Sequence, residues 1–177
     1  MKDVPHGNQM KNLNYDGAKY SAVALTYGDL VVLSRRIDFC PINNTPVPFG
    51  GYWSVFCGAI EENESAADAG VREVLEESGL NIEKNKLNFL GKIKDLALFT
   101  YELKEMPSIT LNFEHTEYGF FKITQCHRSP DPVDLDLIKA IQYNHFINQW
   151  KKQLRFVYFL FLLCVLGISF ILTMENH

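Results

Sequence analysis

A chain of 177 residues is long enough for one domain with a substantial hydrophobic core and one further segment, but too short for two full domains. Its 17 Lys and Arg residues against 21 Asp and Glu residues give a formal charge of -4, which excludes a general basic surface for holding a nucleic acid duplex. A polyanionic small molecule would therefore need a local device, such as a metal ion, to offset its charge.

The cysteines and the N-terminus indicate a reducing compartment. Cys40, Cys57, Cys126 and Cys164 are scattered, with neither a CxxC pair nor the Cys/His spacing of a zinc site, so we interpret them as reduced thiols in the cytosol. Residues 1–18 are polar and lack the apolar run of a signal peptide. We expect them to form a flexible arm ahead of the folded domain.

The first predicted elements are the strands of a β-hairpin. The apolar, β-branched runs 20–27 and 30–37 flank the turn residues Gly28 and Asp29. A loop rich in Pro, Asn and Gly follows over 38–51, and the segment YWSVFCGAI, 52–60, predicts a third strand. Further strands are predicted at LNFLGKI (87–93), DLALFTYEL (95–103) and EYGFFKI (117–123).

Two helices are predicted between and after these strands. Ser65 with Asp68 resembles a capping box and Gly79 suits a C-terminal cap, so we place the first helix over 65–78. After the turn SPDP, the segment 133–154 predicts a second, amphipathic helix, whose apolar face has Val133, Leu137, Ile138, Ile141, Phe146 and Trp150. The order of elements predicts an α/β fold with a mixed sheet and helices on its faces.

The C-terminal segment is predicted to be a transmembrane helix. Residues 156–174 carry no charge, and their number is close to the ~20 needed to cross a bilayer. Lys151, Lys152 and Arg155 precede them, so the positive-inside rule predicts a single-pass C-terminal membrane anchor with the domain in the cytoplasm. The alternative is a buried core helix. The predicted organisation is thus an arm over 1–18, a domain over 19–152 and a transmembrane segment over 153–177.

Three glutamates crowd one face of the first predicted helix. At 100° per residue, Glu73, Glu76 and Glu77 cluster opposite the apolar side. Like charges three or four positions apart destabilise a helix by about 0.2–0.5 kcal/mol per pair. Taken alone, such a face is more often a solvated surface. A bound divalent cation would relieve the repulsion, and carboxylate oxygens are the ligands that Mg²⁺ prefers.

The spacing around this helix carries a specific motif. Gly58 is followed after five residues by Glu64, and after seven more by the run REVLEESGL, 72–80. This resembles the Nudix box, GX5EX7REUXEEXGU with U aliphatic, and every specified position matches. The resemblance covers about 20–150 and implies a Nudix α/β/α sandwich.

The resemblance also implies roles for the residues of the motif. Glu73, Glu76 and Glu77 are expected to bind Mg²⁺ or Mn²⁺, with Glu73 and Glu76 also placed among the catalytic residues. Glu64 and Arg72 are expected to form a structural ion pair. Gly58 and Gly79 are expected to shape the loop and the helix end, as ordinary turn glycines also would.

One position departs from the family pattern. Many relatives have Pro-Gly-Gly before the box, whereas this chain has Phe56, Cys57 and Gly58. The resemblance implies that the carbonyl at this position is a metal ligand, and the carbonyl of Cys57 keeps that function. A catalytic thiol at Cys57 is disfavoured, because the sequence shows no base paired with it.

Candidate residues outside the box leave alternatives open. The resemblance implies a further glutamate from a later loop, as general base or ligand, and both Glu114 and Glu117 qualify, with Glu117 slightly favoured. His115 is a candidate phosphate contact, although a lone loop histidine is more often exposed. Arg35 and Arg36 end the second strand and are weak candidates for substrate binding or, equally, solvated charges.

The function that the resemblance implies is hydrolysis of a diphosphate linkage in a nucleoside diphosphate linked to another group. Candidate substrates are ADP-ribose, nucleotide sugars, dinucleoside polyphosphates and modified nucleotides. The alternative is a membrane-anchored module that binds nucleotide for regulation without cleaving it. Expected partners are therefore a small-molecule nucleotide and the membrane, with a homodimer as an option and no nucleic acid duplex.

Overall fold

A computed structural model describes residues 17–128 and 132–174, with side chains for 17–126 and 132–162. The chain divides into two compact units, Met1–Ile141 and Gln142–His177. Most of the predicted N-terminal arm, and residues 175–177, lie outside the described residues.

Among the described residues, the first unit contains a sheet of seven strands. They are β1 (Tyr20–Tyr27), β2 (Leu30–Arg36), β3 (Trp53–Ser54), β4 (Phe56–Ala59), β5 (Asn88–Ile93), β6 (Leu96–Glu102) and β7 (His115–Lys122). The hairpin predicted at the start is confirmed, with Gly28 at φ +61° in its turn. The three later strands are also where the sequence predicts them.

The sheet splits between β1 and β2, and this split positions the site. The two strands pair only near the hairpin turn, where Thr26 lies opposite Val31. Beyond it, β4 pairs with β1 and β3 pairs with β2, while β7 pairs with β2 along the whole length of that strand. The segment 52–60, predicted as one strand, is therefore two short strands, because its first half joins one side of the split and its second half the other.

Hydrophobic clusters cover both faces of the sheet in this unit. Along β1, Val23 and Leu25 belong to one buried cluster and Ala22 and Ala24 to the other, as the period of two requires. The first cluster includes residues of helix α1 (Ala66–Ser78), and the second includes Leu137, Ile138 and Ile141 from the start of helix α2 (Leu135–Met174). The predicted mixed α/β sheet with helices is confirmed.

Helix α1 begins and ends as its sequence predicts. The Ser65 hydroxyl accepts a hydrogen bond from the backbone N–H of Asp68 at 3.2 Å and caps the N-terminus. Gly79 ends the helix at φ +71°, the left-handed conformation that a glycine adopts without strain. The helix is thus held at both ends, which keeps its acidic residues in place.

The predicted membrane anchor is contradicted. Nowhere in the described part of the chain does a helix combine the length and apolarity that crossing a membrane requires. The single-pass anchor, with the domain held in the cytoplasm behind it, is therefore wrong.

The observed second helix also differs from the predicted amphipathic helix in its length and in the exposure of its apolar residues. Helix α2 continues to Met174, about 20 residues past the predicted end. The apolar side chains of Leu137, Ile138 and Ile141 are buried in the first unit, as predicted. In the second unit Phe146 and Trp150, predicted on the same apolar face, are 65% and 55% exposed.

Candidate active site

Glu77 is the most buried acidic residue of the box. It is 2% exposed, and its Oε2 accepts a hydrogen bond from the backbone N–H of Cys57 at 2.9 Å. Burial, followed by the charges of Glu73 and Glu114, raises the pKa of Glu77 to about 8, although the bond from Cys57 and the charge of Arg36 act in the opposite direction. In the metal-free protein this carboxyl group is therefore mostly protonated at neutral pH.

Glu73 reaches from α1 to the backbone of β4. Its side chain is 12% exposed, and a Cβ placed on Gly58 would lie 2.0 Å from its Oε1. Only glycine lets β4 pass this close to the carboxylate. Burial raises the pKa of Glu73, and the charges of Glu76 and Glu114 add to the effect while the Arg72 guanidinium opposes it.

Arg72 organises the acidic residues of the box. Its Nε and Nη2 donate to the two carboxylate oxygens of Glu64, each at 3.0 Å, in a bidentate pair. Nη1 donates to Glu73 at 2.6 Å and to Glu76 at 3.1 Å, and Nη2 also donates to the carbonyl of Ala59 at 2.8 Å. The structure thus brings Glu64 and Arg72 together as the resemblance implies, and Arg72 also contacts two expected metal ligands.

A cavity of about 480 Å³ lies at the split of the sheet. This volume falls within the range of about 300–1,000 Å³ for small-molecule sites. Its lining includes Glu73 and Glu114, whose charges act on each other, and Gly58, which lies against Glu73. We call this part of the lining the acidic end. The aromatic residues Phe49 and Tyr52 also line the cavity. The cavity therefore combines acidic groups with flat apolar surfaces.

The two arginines of β2 have different surroundings. Arg36 lines the cavity and donates from Nη2 to Glu114 at 3.3 Å. Arg35 donates from Nε to the carbonyl of Gly51 at 3.3 Å and from Nη1 to Glu117 at 3.2 Å. Among the described lining residues are Arg36 and Glu114, but not Arg35 or Glu117. The structure therefore brings Glu114, rather than Glu117, to the box glutamates.

His115 and Asn112 belong to the site. From the sequence, His115 is expected to be exposed, and Asn112 is not identified as a candidate. The His115 side chain is 5% exposed, and its Nε2 lies 4.0 Å from Oε1 of Glu77. Burial, with a smaller effect of Arg36, lowers the pKa of His115 to about 4, so the ring is neutral. Asn112 Oδ1 accepts from the backbone N–H of Glu114 at 2.9 Å and lies 3.3 Å from His115 Nδ1.

Cys57 lies in the wall of the cavity, and its backbone N–H donates to Glu77. Burial and the charge of Glu77 raise the pKa of its thiol to about 12. Since the thiolate is the nucleophilic form, this environment disfavours catalysis by the sulfur. It leaves the expected role of the Cys57 carbonyl untouched.

The carboxylates of the box have the chemistry of a divalent-cation site. Across the described residues, no three His, Cys, Asp or Glu side chains are already grouped as a metal site. The chemistry of the donors nevertheless fits, because Glu73, Glu76 and Glu77 supply hard carboxylate oxygens. Negative charges also act on these residues: Glu76 and Glu114 raise the pKa of Glu73, and Glu73 and Glu114 raise the pKa of Glu77. A cation bound among these carboxylates would relieve this repulsion.

Comparisons with known proteins agree with this geometry. The model of the NUDIX domain matches residues 19–143. A MutT/nudix family protein from Enterococcus faecalis has a similar structure, with a TM-score of 0.57 and 17% sequence identity. The match covers 79% of this chain and 66% of that chain, so this chain spans just under two thirds of the length of that protein. An Ap4A hydrolase from C. elegans, solved as a binary complex, has a TM-score of 0.54 and 14% identity over 75% of this chain and 98% of that one.

A third similar structure holds a ligand. It is the NUDIX domain of Shewanella oneidensis NrtR complexed with ADP ribose, with a TM-score of 0.54 and 15% identity over 72% of this chain and 87% of that one. At such identities the likeness supports the fold.

Proposed function

Because the chain belongs to the NUDIX domain family, we propose that it is a Nudix hydrolase that cleaves the diphosphate linkage of a nucleoside diphosphate linked to another group. One observation carries the proposal. Glu73 and Glu114 line one end of a nucleotide-sized cavity, and their charges act on the buried Glu77 beside them. ADP-ribose, nucleotide sugars, dinucleoside polyphosphates and modified nucleotides are the candidate substrates.

Mg²⁺ or Mn²⁺ is the proposed cofactor. Glu73, Glu76 and Glu77 would hold it, together with the carbonyl of Cys57. Bound there, the ion would offset the charge of the diphosphate and lower the pKa of an attacking water. Helix α1 supplies the three carboxylates from one rigid element that is capped at both ends, so they need little reorganisation when the substrate binds.

We assign the role of loop glutamate to Glu114 rather than Glu117. Asn112 holds the backbone of Glu114 and Arg36 holds its carboxylate, so the side chain is positioned at the acidic end of the cavity. There it can accept a proton from a water that attacks the diphosphate. Glu117 is committed to Arg35 instead, and its side chain is 52% exposed.

Replacement of each loop glutamate by Gln tests this assignment. We expect Glu114→Gln to lower kcat by about 10²-fold or more, the scale of a lost general base. Glu117→Gln should change kcat less than about threefold, because it breaks only an exposed ion pair. Steady-state kinetics with thermal unfolding as the folding control measure both effects. A larger loss at Glu117 would reverse the assignment.

Incubation with a panel of diphosphate compounds tests the proposed function itself. ADP-ribose, nucleotide sugars, dinucleoside polyphosphates and oxidised nucleoside triphosphates would be incubated with Mg²⁺ or Mn²⁺, and the products identified by mass spectrometry. We expect a nucleoside monophosphate and a second phosphorylated product from at least one class, and none in excess EDTA. Turnover that persists in EDTA would contradict the proposed metal dependence.

The alternative is a module that binds nucleotide without cleaving it. The nucleotide would occupy the same cavity, which Glu73, Glu114 and the aromatic residues Phe49 and Tyr52 line. If the protein only binds nucleotide, compounds of the panel should raise its unfolding temperature without forming products. Product formation at a rate that Glu77→Gln abolishes would exclude it.

A further inference from the structure

Two buried polar atoms lack hydrogen-bond partners in the described part of the chain. They are Oγ of Ser34 and Nε of Arg36. Ser34 is 1% exposed, and the Arg36 side chain is 29% exposed although its Nε is buried. Buried polar groups in folded proteins nearly always have a partner, and leaving one without is costly. These two atoms therefore indicate a partner that the chain itself does not supply.

The two residues belong to one surface. They are two positions apart on β2, and the pairing of β2 with β7 shifts register between Arg35 and Arg36. Both line the cavity at the split of the sheet. Arg36 lies beside Glu114, at the acidic end, whereas Ser34 lies opposite Ser54 of β3, which also lines the cavity. We call Ser34 and Arg36 the donor pair.

An aromatic corner flanks the donor pair. Phe49 and Tyr52 both line the cavity, in an edge-to-face arrangement with ring centroids 5.9 Å apart. The carbonyl of Tyr52 accepts the backbone N–H of Arg36 at 3.0 Å, which holds this corner next to the arginine. Phe49 adopts φ +58°, a conformation that is unfavourable for a bulky side chain, and the residue is 70% exposed. A strained, exposed aromatic ring at a cavity is a ready surface for a planar group.

We propose that the donor pair binds the nucleoside monophosphate part of the substrate. Arg36 donates from its free Nε to a phosphoryl oxygen, since a guanidinium with an unused N–H is suited to an oxyanion. Ser34 bonds an uncharged polar atom of the attached nucleoside, whose base lies against Phe49. The inference rests on the proposed function for the class of ligand, but the binding it describes needs no metal.

Binding measured in EDTA tests the donor pair separately from catalysis. Isothermal titration would be carried out on the full chain with AMP, GMP, CMP and UMP, with the corresponding nucleosides, and with inorganic phosphate. We expect at least one monophosphate to bind wild type. Arg36→Gln should weaken it about tenfold or more, as for a lost charged hydrogen bond, with little effect on the nucleoside. Ser34→Ala should weaken monophosphate and nucleoside alike, by roughly three- to tenfold.

The stability of the same variants provides a second readout. Ser34→Ala removes a buried hydroxyl that has no partner, so the unfolding temperature without ligand should equal or exceed that of wild type. A serine with a merely structural role would instead lower it. Lower stability of Ser34→Ala with unchanged ligand affinity would therefore overturn the role of Ser34.

Three controls separate direct contact from indirect effects. Lys122→Gln removes a positive charge at the exposed end of β7 and should leave binding unchanged. Arg36→Lys keeps the charge but loses the guanidinium fork, so its affinity should fall between wild type and Arg36→Gln. Glu114→Gln should bind the monophosphate as tightly as wild type or tighter, because it removes a negative charge beside Arg36. A loss in Glu114→Gln equal to that in Arg36→Gln would mean that Arg36 acts only through Glu114.

Two results would overturn the proposal as a whole. One is the failure of wild type to bind any of the four monophosphates in EDTA, and the other is wild-type affinity in Arg36→Gln. If the protein bound inorganic phosphate but no nucleoside or monophosphate, and Arg36→Gln lost this binding, the site would only be an anion site. That result would overturn the role of Ser34. A chain that binds monophosphates as described but cleaves no diphosphate would keep the inference and refute the hydrolase.

Discussion

Replacing Glu77 with Gln is expected to lower turnover by about 10²-fold or more and to abolish the stabilisation that Mg²⁺ gives. Gln has nearly the shape of the protonated Glu77 and can still accept the backbone N–H of Cys57, which now lies 2.9 Å from Oε2. The fold should therefore survive. What the variant loses is the capacity to become a carboxylate, which is the form that binds a hard cation.

Thermal unfolding with and without Mg²⁺ checks this prediction beside the kinetics. Wild type should unfold at a higher temperature when saturating Mg²⁺ is present, whereas Glu77→Gln should give the same temperature in both conditions. Glu117→Gln is the matched control, because it makes the same chemical change outside the cavity lining, and it should respond to Mg²⁺ as wild type does.

The pH dependence of stability in EDTA gives a further check on Glu77. Its folded pKa, about 8, lies above the value of about 4.3 for an unfolded glutamate. The folded protein therefore binds the extra proton between these values, and the contribution of Glu77 to stability falls as pH rises toward 8. Glu77→Gln should lack this component. Wild-type turnover in the variant, or an intact response to Mg²⁺, would contradict the assignment.

The parts of the fold that local sequence determines could be predicted. Helix α1 was predictable to within one residue, because Ser65 and Gly79 act on their own neighbours through capping hydrogen bonds. The hairpin at Gly28 was predictable for the same reason. The division of 52–60 into β3 and β4 was not, because it depends on which distant strand each half pairs with.

The residues of the candidate site divide in the same way, into those that local sequence determines and those that depend on distant strands. The residues of the box, Glu73 to Glu77, share one helix, so their common face follows from helical geometry alone. The choice between Glu114 and Glu117 depends on the register of β7 against β2, which places Glu117 opposite Arg35. The burial of His115 and the unpartnered hydroxyl of Ser34 likewise arise only when remote strands meet.

The predicted membrane anchor failed for a different reason. It rested on the length of the uncharged run 156–174 and on the basic residues that precede it, and neither feature tells where a helix begins. In the structure those residues continue a helix that starts at Leu135 and carries Lys151, Lys152 and Arg155. A window of apolar residues was read as an independent element, although it is part of a longer one.

Gly58→Ala is expected to lower turnover by about 10²-fold while leaving the protein folded. A Cβ at this position would lie 2.0 Å from Oε1 and 2.1 Å from Cδ of Glu73, distances that no pair of atoms can keep. The carboxylate of Glu73 is the end of a flexible side chain, so it can swing away without moving the backbone. A displacement of about 1 Å in a catalytic group can cost about 10²-fold in rate.

A double-mutant cycle identifies the route of this effect. If Gly58→Ala acts by displacing Glu73, then Gly58→Ala combined with Glu73→Gln should be no slower than Glu73→Gln alone, because the displaced group is already lost. Steady-state kinetics on the two single variants and the double variant measure the coupling, and thermal unfolding shows whether each remains folded. Losses that simply add, or near-wild-type turnover in Gly58→Ala, would mean that the close approach of β4 to Glu73 has no part in catalysis.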